Sequence, residues 1–312
     1  MPQSRFPRVS IVGAGAVGSS IGRALFEKGY PIASVISRTG DRAIALARSV
    51  KCSRVSTQIG DVAPESECIL LAVSDGALPA VAGQLSRLRS LKFRKLFAVH
   101  CSGVYAADVL EPLRRRGVLV ASMHPIQTFP SGRHAHQRRT PLRGIYYGIE
   151  GEPEALKRTK RLVDDLEGRV VVIKKEMKPL YHVICVMASN YMLVFLNAIE
   201  ELTKILSVQP GWTEIFGPLM TATMENAVKQ TAAASLTGPI VRGDLSTVDL
   251  HLRALSRYAP EFLPLYTMGG IEVARIAGMR GSMSRGEFNG VIARFRRFLK
   301  SNPFTNKRKA KR

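Results

Sequence analysis

A short apolar strand that runs directly into a glycine-rich turn constrains this chain more than any other feature. Residues Val9 to Val12 precede the segment GAGAVG, and a helix-forming stretch continues from it to Gly29. The first glycine permits a tight turn, the second lets the backbone approach a pyrophosphate, and the third lets the helix pack closely on the strand. Free N–H groups at the positive end of that helix then bind the pyrophosphate. The candidate dinucleotide-binding residues of the turn are Gly13, Ala14, Gly15, Ala16, Val17 and Gly18.

The residues after a second predicted strand, Ala33 to Ser37, indicate which dinucleotide is bound. An acidic residue here binds the 2′-hydroxyl of NAD, whereas a basic residue accommodates the 2′-phosphate of NADP. The chain has Ser37, Arg38 and Thr39, so one guanidinium and two hydroxyls are available to a phosphate dianion. Asp41 comes too late for the ribose, and we interpret it as capping or opening the next helix. We therefore expect NADP as the cofactor.

Apolar strands then alternate with amphipathic helices in the rhythm of a parallel sheet. Strands are predicted at 68–73, 95–99, 119–123, 145–149 and 169–173, with helices at 78–88, 106–115 and 153–166. Beyond residue 173 long helices are predicted at about 178–206, 213–234, 245–258, 263–277 and 285–299. The fold class is α/β, with an N-terminal Rossmann-type parallel sheet domain followed by an all-α C-terminal domain. We expect the divisions 1–174 for NADP binding, 175–301 for substrate binding and dimerisation, and 302–312 as a disordered basic tail.

Ligands of such sheets bind beyond the carboxyl ends of the strands, so the residues just past each strand are candidates. For the cofactor these are Ala72, Val73, Ser74, Cys101 and Ser102. His124 and Gln127 follow another strand and are expected to contact substrate. His124, His134 and His136 lie close in sequence, but they have arginines and no acidic or thiol partner nearby, so we do not predict a metal site.

The charge of the chain is strongly positive, because 46 Lys and Arg outnumber 24 Asp and Glu to give +22. The basic residues are scattered without the aromatic interleaving that stacks bases, and only the last six residues form a compact block. We therefore expect no nucleic-acid partner. The excess is interpreted as a solvated surface that also attracts an anionic cofactor and substrate.

The four cysteines and the apolar segments bear on location and assembly. Because the cysteines have no C-x-x-C or zinc spacing, we expect reduced thiols in a cytoplasmic protein. No basic region followed by a cleavable apolar stretch begins the sequence. The longest apolar stretch, Val183 to Ile199, contains Ser189, Asn190 and Asn197, which favours a buried helix over a membrane span. A helix that is apolar on most sides needs cover, so we expect a homodimer.

Five motifs together resemble a known family. They are the glycine turn, His100 to Gly103, His124 to Phe129, Tyr181-His182 with Ser189 to Tyr191, and Thr237 to Asp244. They resemble Rossmann-like proteins whose helical C-terminal half is domain of unknown function 2520, over nearly the whole chain. More distantly the chain is similar to pyrroline-carboxylate reductases, ketopantoate reductases, and 6-phosphogluconate and 3-hydroxyisobutyrate dehydrogenases. The resemblance implies a nicotinamide-dependent oxidoreductase whose helical half often dimerises.

One helix departs from the sugar-acid dehydrogenase pattern, because Lys178 is followed four residues later by His182 instead of Asn. On a straight helix Lys178, His182 and Asn190 fall within one arc of about 120°. His182 is a candidate proton donor or acceptor, since histidine titrates near neutral pH. Lys178 takes this role instead if burial lowers its pKa, and Asn190 orients the reacting atom. The alternative is that His182 and Asn190 pack in a helix or dimer interface.

The segment Thr237 to Asp244 is the second candidate, because its glycines and proline interrupt the helices. Arg242 is suited to bind a carboxylate, while Asp244 either orients that guanidinium or accepts from a substrate. His251 shares a face with Asp244 if the helix has begun. The alternative is that Asp244 caps a helix starting near Leu245 and Arg242 lies on the surface. We expect His182 and Arg242 to meet across one cleft.

These observations predict an NADP-dependent oxidoreductase that transfers hydride between nicotinamide and a carbonyl or imine carbon of a small anionic substrate. A ketopantoate-like 2-oxo acid is the preferred example. One alternative is a prephenate or arogenate type dehydrogenase, suggested by a histidine-bearing helix that opens the second domain. The other is a dinucleotide-binding regulatory protein without turnover.

Overall fold

The short apolar segments of the first half form the strands of one sheet. The computed structural model describes residues 6–129 and 142–301. Within them, eight strands pair in the order β3-β2-β1-β4-β5-β6-β7-β8. Their bounds are β1 Val9–Val12, β2 Ile32–Ile36, β3 Val55–Ser56, β4 Cys68–Leu71, β5 Phe97–His100, β6 Leu119–Pro125, β7 Tyr146–Gly151 and β8 Arg169–Val172. Every residue of β1, β4 and β5 is buried, because helices cover both faces of the sheet.

The direction of the last two strands corrects the sequence interpretation. Strands β1 to β6 pair in parallel as expected. Strand β7 pairs antiparallel with β6, and β8 then runs parallel with β7. The carboxyl ends of β7 and β8 therefore lie at the opposite edge from those of β1 to β6. An apolar segment of four to six residues indicates a buried strand but carries no information about its direction.

Five helices cover the sheet: α1 Ala16–Glu27, α2 Gly40–Ser49, α3 Leu78–Ser86, α4 Glu111–Arg114 and α5 Pro153–Asp165. One apolar cluster joins β1 to helices such as α1 through Ile21 and Leu25. The other lies on the opposite side and includes Leu85 of α3 and Leu113 of α4. The sheet is thus buried between two helical layers, and its binding residues emerge where the strands end.

Three serine hydroxyls and the backbone of Ala63 form a closed hydrogen-bonded ring at the sheet. Ser66 Oγ donates to the carbonyl of Ala63 at 2.5 Å, so Ser10 must donate to Ser66 at 2.6 Å. Ser34 then donates to Ser10 at 2.7 Å and accepts from the Ala63 N–H at 3.2 Å. Each hydroxyl both donates and accepts, so these buried polar groups are satisfied.

The second half is helical, as expected. Its helices are α6 Lys178–Val186, α7 Met192–Leu206, α8 Trp212–Lys229, α9 Leu245–Tyr258, α10 Leu263–Met279 and α11 Arg285–Ser301. The chain forms two compact units, 1–191 and 192–312, so α6 belongs with the sheet although we expected a boundary near 174. In the second unit α9, α10 and α11 share a core that includes Val248, Ala274 and Phe295. The expected tail, 302–312, lies outside the described residues.

The apolar stretch Val183 to Ile199 is largely exposed, which corrects the expectation of a buried helix. Val183, Ile184, Leu193 and Phe195 are all among the exposed large hydrophobic side chains. In the described residues, the helical stretch Lys175–Leu206 is long and apolar enough to cross a membrane by length and composition. The sequence indicates that the apolar side chains of such a helix need to be buried. It does not indicate whether other parts of the same chain bury them.

Candidate functional site

The glycine turn after β1 is a cradle with no room for side chains on its inner side. Gly13 has a φ of +107°, and a Cβ there would lie 2.4 Å from the carbonyl oxygen of Ala72. A Cβ on Gly18 would lie 1.9 Å from the oxygen of Gly13. Gly15, by contrast, faces open space and is the N-cap of α1 without any side-chain cap. The open side and the free N–H groups of the helix fit a pyrophosphate, as the fingerprint requires.

The end of β2 presents a cation beside this cradle. Arg38 is exposed and makes no ion pair with any residue in 6–129 or 142–301. Thr39 is the N-cap of α2, yet its hydroxyl makes no capping hydrogen bond. Asp41 lies in the first turn of α2. It therefore opens this helix, which is one of our two interpretations of this residue. The guanidinium and the Ser37 and Thr39 hydroxyls therefore remain available to a 2′-phosphate.

A cleft of about 340 Å³ opens at the carboxyl ends of β1, β4, β5 and β6 within the first unit. Nine expected site residues line it: Val17, Ala72, Val73, Ser74, Cys101, Ser102, His124, Gln127 and His182. Asp75, Gly103, Pro125 and Phe129 also line it; they lie in the same strand-end segments but were not assigned to cofactor or substrate. The cleft therefore joins the end of the glycine cradle to two histidines.

Gly103 allows these two histidines to approach each other. The rings of His124 and His182 meet edge to face with centroids 5.8 Å apart. A Cβ on Gly103 would lie 2.5 Å from Cδ2 of His182 and 3.0 Å from Nε2 of His124. Any other residue at 103 would displace at least one ring.

Tyr181, one residue before His182 on α6, orients His124. Its hydroxyl lies 2.7 Å from Nδ1 of His124, and the absent side chain of Gly148 leaves room for its ring. Burial, followed by the Lys178 cation and His182, lowers the pKa of His124 to about 4. His124 is therefore neutral near pH 7. Since burial raises the pKa of Tyr181, the phenol keeps its proton and can donate to Nδ1.

Lys178 is fully buried beneath the cleft and does not line it. Its Nζ donates to the Ser102 carbonyl at 3.1 Å and to Ser122 Oγ at 2.7 Å. Burial lowers its pKa to about 8, so the condition for its alternative role as a proton donor is met. However, its position indicates a different task. It fixes the turn after β5 and places a positive charge close to His124.

His100, at the end of β5, holds the same turn from inside. Its Nδ1 accepts from the Ser102 N–H at 3.2 Å, so its Nε2 donates to the Ala106 carbonyl at 3.1 Å. Burial and then the Lys178 cation lower its pKa to about 3. A neutral imidazole thus positions Ser102 and Gly103.

Asn190 does not line the cleft, and the helix around it is not a regular α-helix. Residues Met187–Tyr191 form a π-helical turn between α6 and α7. A π turn adds a residue to the helical repeat and shifts the phase of everything after it. Asn190 is exposed and lies outside the cleft lining. The projection onto a regular α-helix was therefore wrong beyond Val186.

In the second unit, Asp244 caps α9. Its Oδ1 accepts from the Thr247 N–H at 3.0 Å and from Ser246 Oγ, and its Oδ2 accepts from Thr247 Oγ1. These hydrogen bonds lower the pKa of its carboxyl group. Arg242 is exposed, as in the capping alternative. His251 is also exposed, with Nδ1 2.7 Å from the Tyr266 hydroxyl.

The structure therefore favours the capping interpretation of Asp244. The expected meeting of Arg242 with His182 concerns residues of different units and stays a prediction. Within the described parts of the chain no three His, Cys, Asp or Glu side chains form a cluster suited to a metal ion. His134 and His136 lie outside those parts.

The unexpected site residues differ in the signal that each carries. Asp75 and Gly103 come four and three residues after the ends of β4 and β5, within the strand-end segments that the sequence marks as candidates. Tyr181 lies beside His182 in sequence, but its contact with His124 depends on how α6 packs against β6 and β7. That packing has no local sequence signal.

Two family models match the chain. A Rossmann-like domain matches residues 2–125, and the domain of unknown function DUF2520 matches residues 145–271. No curated protein matches the chain.

Three solved structures illustrate the similarity of fold. A Bacteroides fragilis protein provisionally named an NADP oxidoreductase is 23% identical, with a TM-score of 0.72 over 86% of this chain and 98% of its own. Protein TM1727 from Thermotoga maritima is 24% identical, with a TM-score of 0.62 over 87% and 99%. A pyrroline-5-carboxylate reductase from Coxiella burnetii is 15% identical, with a TM-score of 0.53 over 95% and 98%. Residues 2–125 thus match the Rossmann-like model and residues 145–271 match the DUF2520 model.

Proposed function

We propose that this protein is an NADP-dependent oxidoreductase that acts on a carbonyl or imine carbon of a small anionic substrate. The observation that carries the proposal is the continuity of the glycine cradle with a cleft that ends at His124 and His182. Binding groups for a dinucleotide and proton-transfer groups thus lie along one surface of the first unit. The name of the Bacteroides fragilis protein agrees with this cofactor.

The residues of the cradle would hold the pyrophosphate on the α1 N–H groups, and Arg38 would bind the 2′-phosphate. A bound nicotinamide would supply or accept the hydride. The cradle and Arg38 thus account for cofactor binding without any contribution from the two histidines.

His182 is the candidate general acid and base for the oxygen or nitrogen of the reacting group. It lines the cleft, and no hydrogen bond to another described side chain occupies its ring. His124 has its Nδ1 engaged by Tyr181, so it presents an Nε2–H donor toward the cleft. A neutral donor can orient a carbonyl or imine without competing for the proton. Lys178 supports both groups from below by holding the turn at Ser102.

The anionic character of the substrate rests on Arg242, because the described lining of the cleft contains no Lys or Arg. Gln127 offers amide N–H donors, since its Oε1 already accepts from the Thr128 N–H at 2.8 Å. A 2-oxo acid of the ketopantoate type offers a carbonyl to the two histidines and a carboxylate to a cation.

The test is NADPH oxidation with a panel of 2-oxo acids and cyclic imines, and the reverse reaction with prephenate and arogenate. For the substrate that turns over, His182→Ala should lower kcat by about 100-fold. Arg242→Ala should chiefly raise KM. NADPH affinity, measured by fluorescence titration, should stay within twofold for both variants.

Wild-type kcat in His182→Ala would exclude the catalytic role of this histidine. NADPH binding without turnover of any member of the panel would instead favour a regulatory protein. Oxidation of prephenate or arogenate alone would favour the dehydrogenase alternative.

A further inference from the structure

A second cavity lies at the other edge of the sheet, where β1, β4 and β5 begin. It has a volume of about 430 Å³ and lies entirely within the first unit, between the strand starts and α5. The parallel strands have four residues each, so about 13 Å separates this cavity from the cofactor cleft. A ligand here would not overlap a dinucleotide bound in the cradle.

Four basic side chains from two distant segments line the cavity. Arg94 and Lys95 belong to a short 3₁₀ helix that precedes β5. Arg158 and Arg161 are three residues apart on α5, so they project from the same side of the helix. The sequence gives both pairs as part of a scattered basic surface, and the fold brings them to one concave site.

The positive charge of the cavity is largely unpaired. Glu67, the one acidic residue of its lining, already contacts Arg8. Its Oε2 accepts from the backbone N–H of Arg8 at 3.0 Å and lies 3.6 Å from Nε of Arg8. The Nε of Arg158 lies 4.0 Å from Glu154, at the limit of an ion pair. Arg94, Lys95 and Arg161 make no ion pair with any residue that the structure describes. Like charges held around a concavity attract a multivalent anion, because the anion relieves their mutual repulsion.

The floor of the cavity limits which part of a ligand it can recognise. Tyr30 and Phe97 contribute to it, yet only 1% and 3% of their surfaces are exposed. The Tyr30 hydroxyl is hydrogen-bonded to Asp165, and its ring stacks on Phe6. No aromatic face is therefore open for a base to stack on. The recognition elements are the guanidinium and ammonium groups, which suit phosphate oxygens.

We propose that this cavity binds an oligophosphate, either a free inorganic chain or the phosphate chain of a nucleotide. Four cations from two segments favour a chain of phosphates over a single phosphate, because the chain offers more oxygens to them. Binding at this site is independent of the oxidoreductase activity proposed above.

The test is isothermal titration of the full-length protein with sodium triphosphate at a fixed ionic strength of about 0.15 M. The double variant Arg94→Gln/Arg161→Gln should weaken binding at least tenfold. The matched control Arg87→Gln/Arg89→Gln removes the same charge from exposed positions outside the cavity and should change affinity less than twofold. If triphosphate instead bound in the cofactor cradle, neither the cavity variant nor the control variant would change its affinity.

A conservative variant separates binding from folding. Arg94→Lys/Arg161→Lys keeps the charge and should retain more affinity than the Gln pair at an unchanged melting temperature. Titration with ATP distinguishes the sources: equal affinity assigns recognition to the phosphates alone, and at least tenfold tighter binding assigns it to a nucleotide.

Three results would overturn the proposal. One is the absence of any heat of binding when the wild type is titrated with triphosphate at millimolar concentration. Equal weakening by the cavity pair and the control pair would indicate general charge attraction. Citrate binding as tightly as triphosphate would exclude phosphate as the recognised group.

Discussion

The hydroxyl of Tyr181 contacts Nδ1 of His124 and so bears on which ring nitrogen carries the imidazole proton. When the protonated phenol, 2.7 Å from Nδ1, donates to that nitrogen, the imidazole proton is on Nε2. The Lys178 cation adds to this by disfavouring a second proton on His124. Tyr181 and Lys178 thus keep one histidine neutral and oriented, and leave His182 as the candidate for proton exchange.

Arg38 carries the choice of cofactor. We expect Arg38→Asp to weaken NADPH binding by about 2 to 4 kcal/mol, because a charge-assisted pair becomes a repulsion. NADH, which lacks the 2′-phosphate, should bind nearly as before. Fluorescence titrations with both cofactors measure the effect, and Arg48→Asp in the last turn of α2 is the matched control. Equal wild-type affinity for the two cofactors would show that the end of β2 does not contact the phosphate.

We expect the free energy of unfolding of the wild type to rise relative to that of Lys178→Met as the pH rises from about 8 to 10.5. Its pKa is about 8 in the folded protein and 10.5 ordinarily, so the unfolded chain binds more protons in this range. Relative to Lys178→Met, the wild type should gain about 1.4 kcal/mol per pH unit at most. Denaturant unfolding at pH 7, 8, 9 and 10 measures this gain.

The exposed neighbour Lys174 gives the control, because Lys174→Met removes the same charge without burial. Its pH profile should run parallel to that of the wild type. A Lys178→Met profile that is also parallel would mean that burial does not perturb this lysine.

At the scale of elements, the sequence predicts type and position better than direction and phase. The first strand and α9 match their predicted bounds, and the other long helices differ by a few residues at their ends. These elements have strong local signals, namely continuous apolar runs, caps and glycine breaks. The antiparallel β7 and the π turn at Met187–Tyr191 have none, because pairing partners and packing decide them.

The same distinction applies to the site. The cofactor residues follow from the strand-turn-helix order, which is local. The approach of His124 to His182 depends on Gly103 and on the packing of α6, which are not local. Asp244 shows the reverse case, in which a residue suited to substrate binding serves its own helix as an N-cap.

At the scale of the whole molecule, the exposed apolar surface of α6 and α7 predicts a homodimer. Leu193 is 61% exposed, and Ile184 and Phe195 are exposed on the same stretch. We expect a second copy and not a membrane to cover this surface, because Lys178 and His182, at the start of the stretch, contact the sheet domain. Light scattering should give twice the chain mass of 34.2 kDa at micromolar concentration.

A matched pair of variants tests the surface. Leu193→Asp should shift the protein to monomers, since a carboxylate would be buried in the interface. Leu250→Asp is equally exposed at 61% but lies on α9, and it should leave the dimer intact. A 34.2 kDa wild-type particle would refute the dimer.

The ring of Ser10, Ser34 and Ser66 has a consequence for how the sheet finds its alignment. In a sheet buried on both faces, sliding one apolar strand along another by a residue exposes no apolar side chain to water, so burial alone discriminates weakly between alignments. A misaligned Ser10 would instead leave buried hydroxyls without partners, at a cost of about 1 to 3 kcal/mol for each. The three hydroxyls therefore favour the native register of β1 with β2, in which each of them has its hydrogen-bond partners.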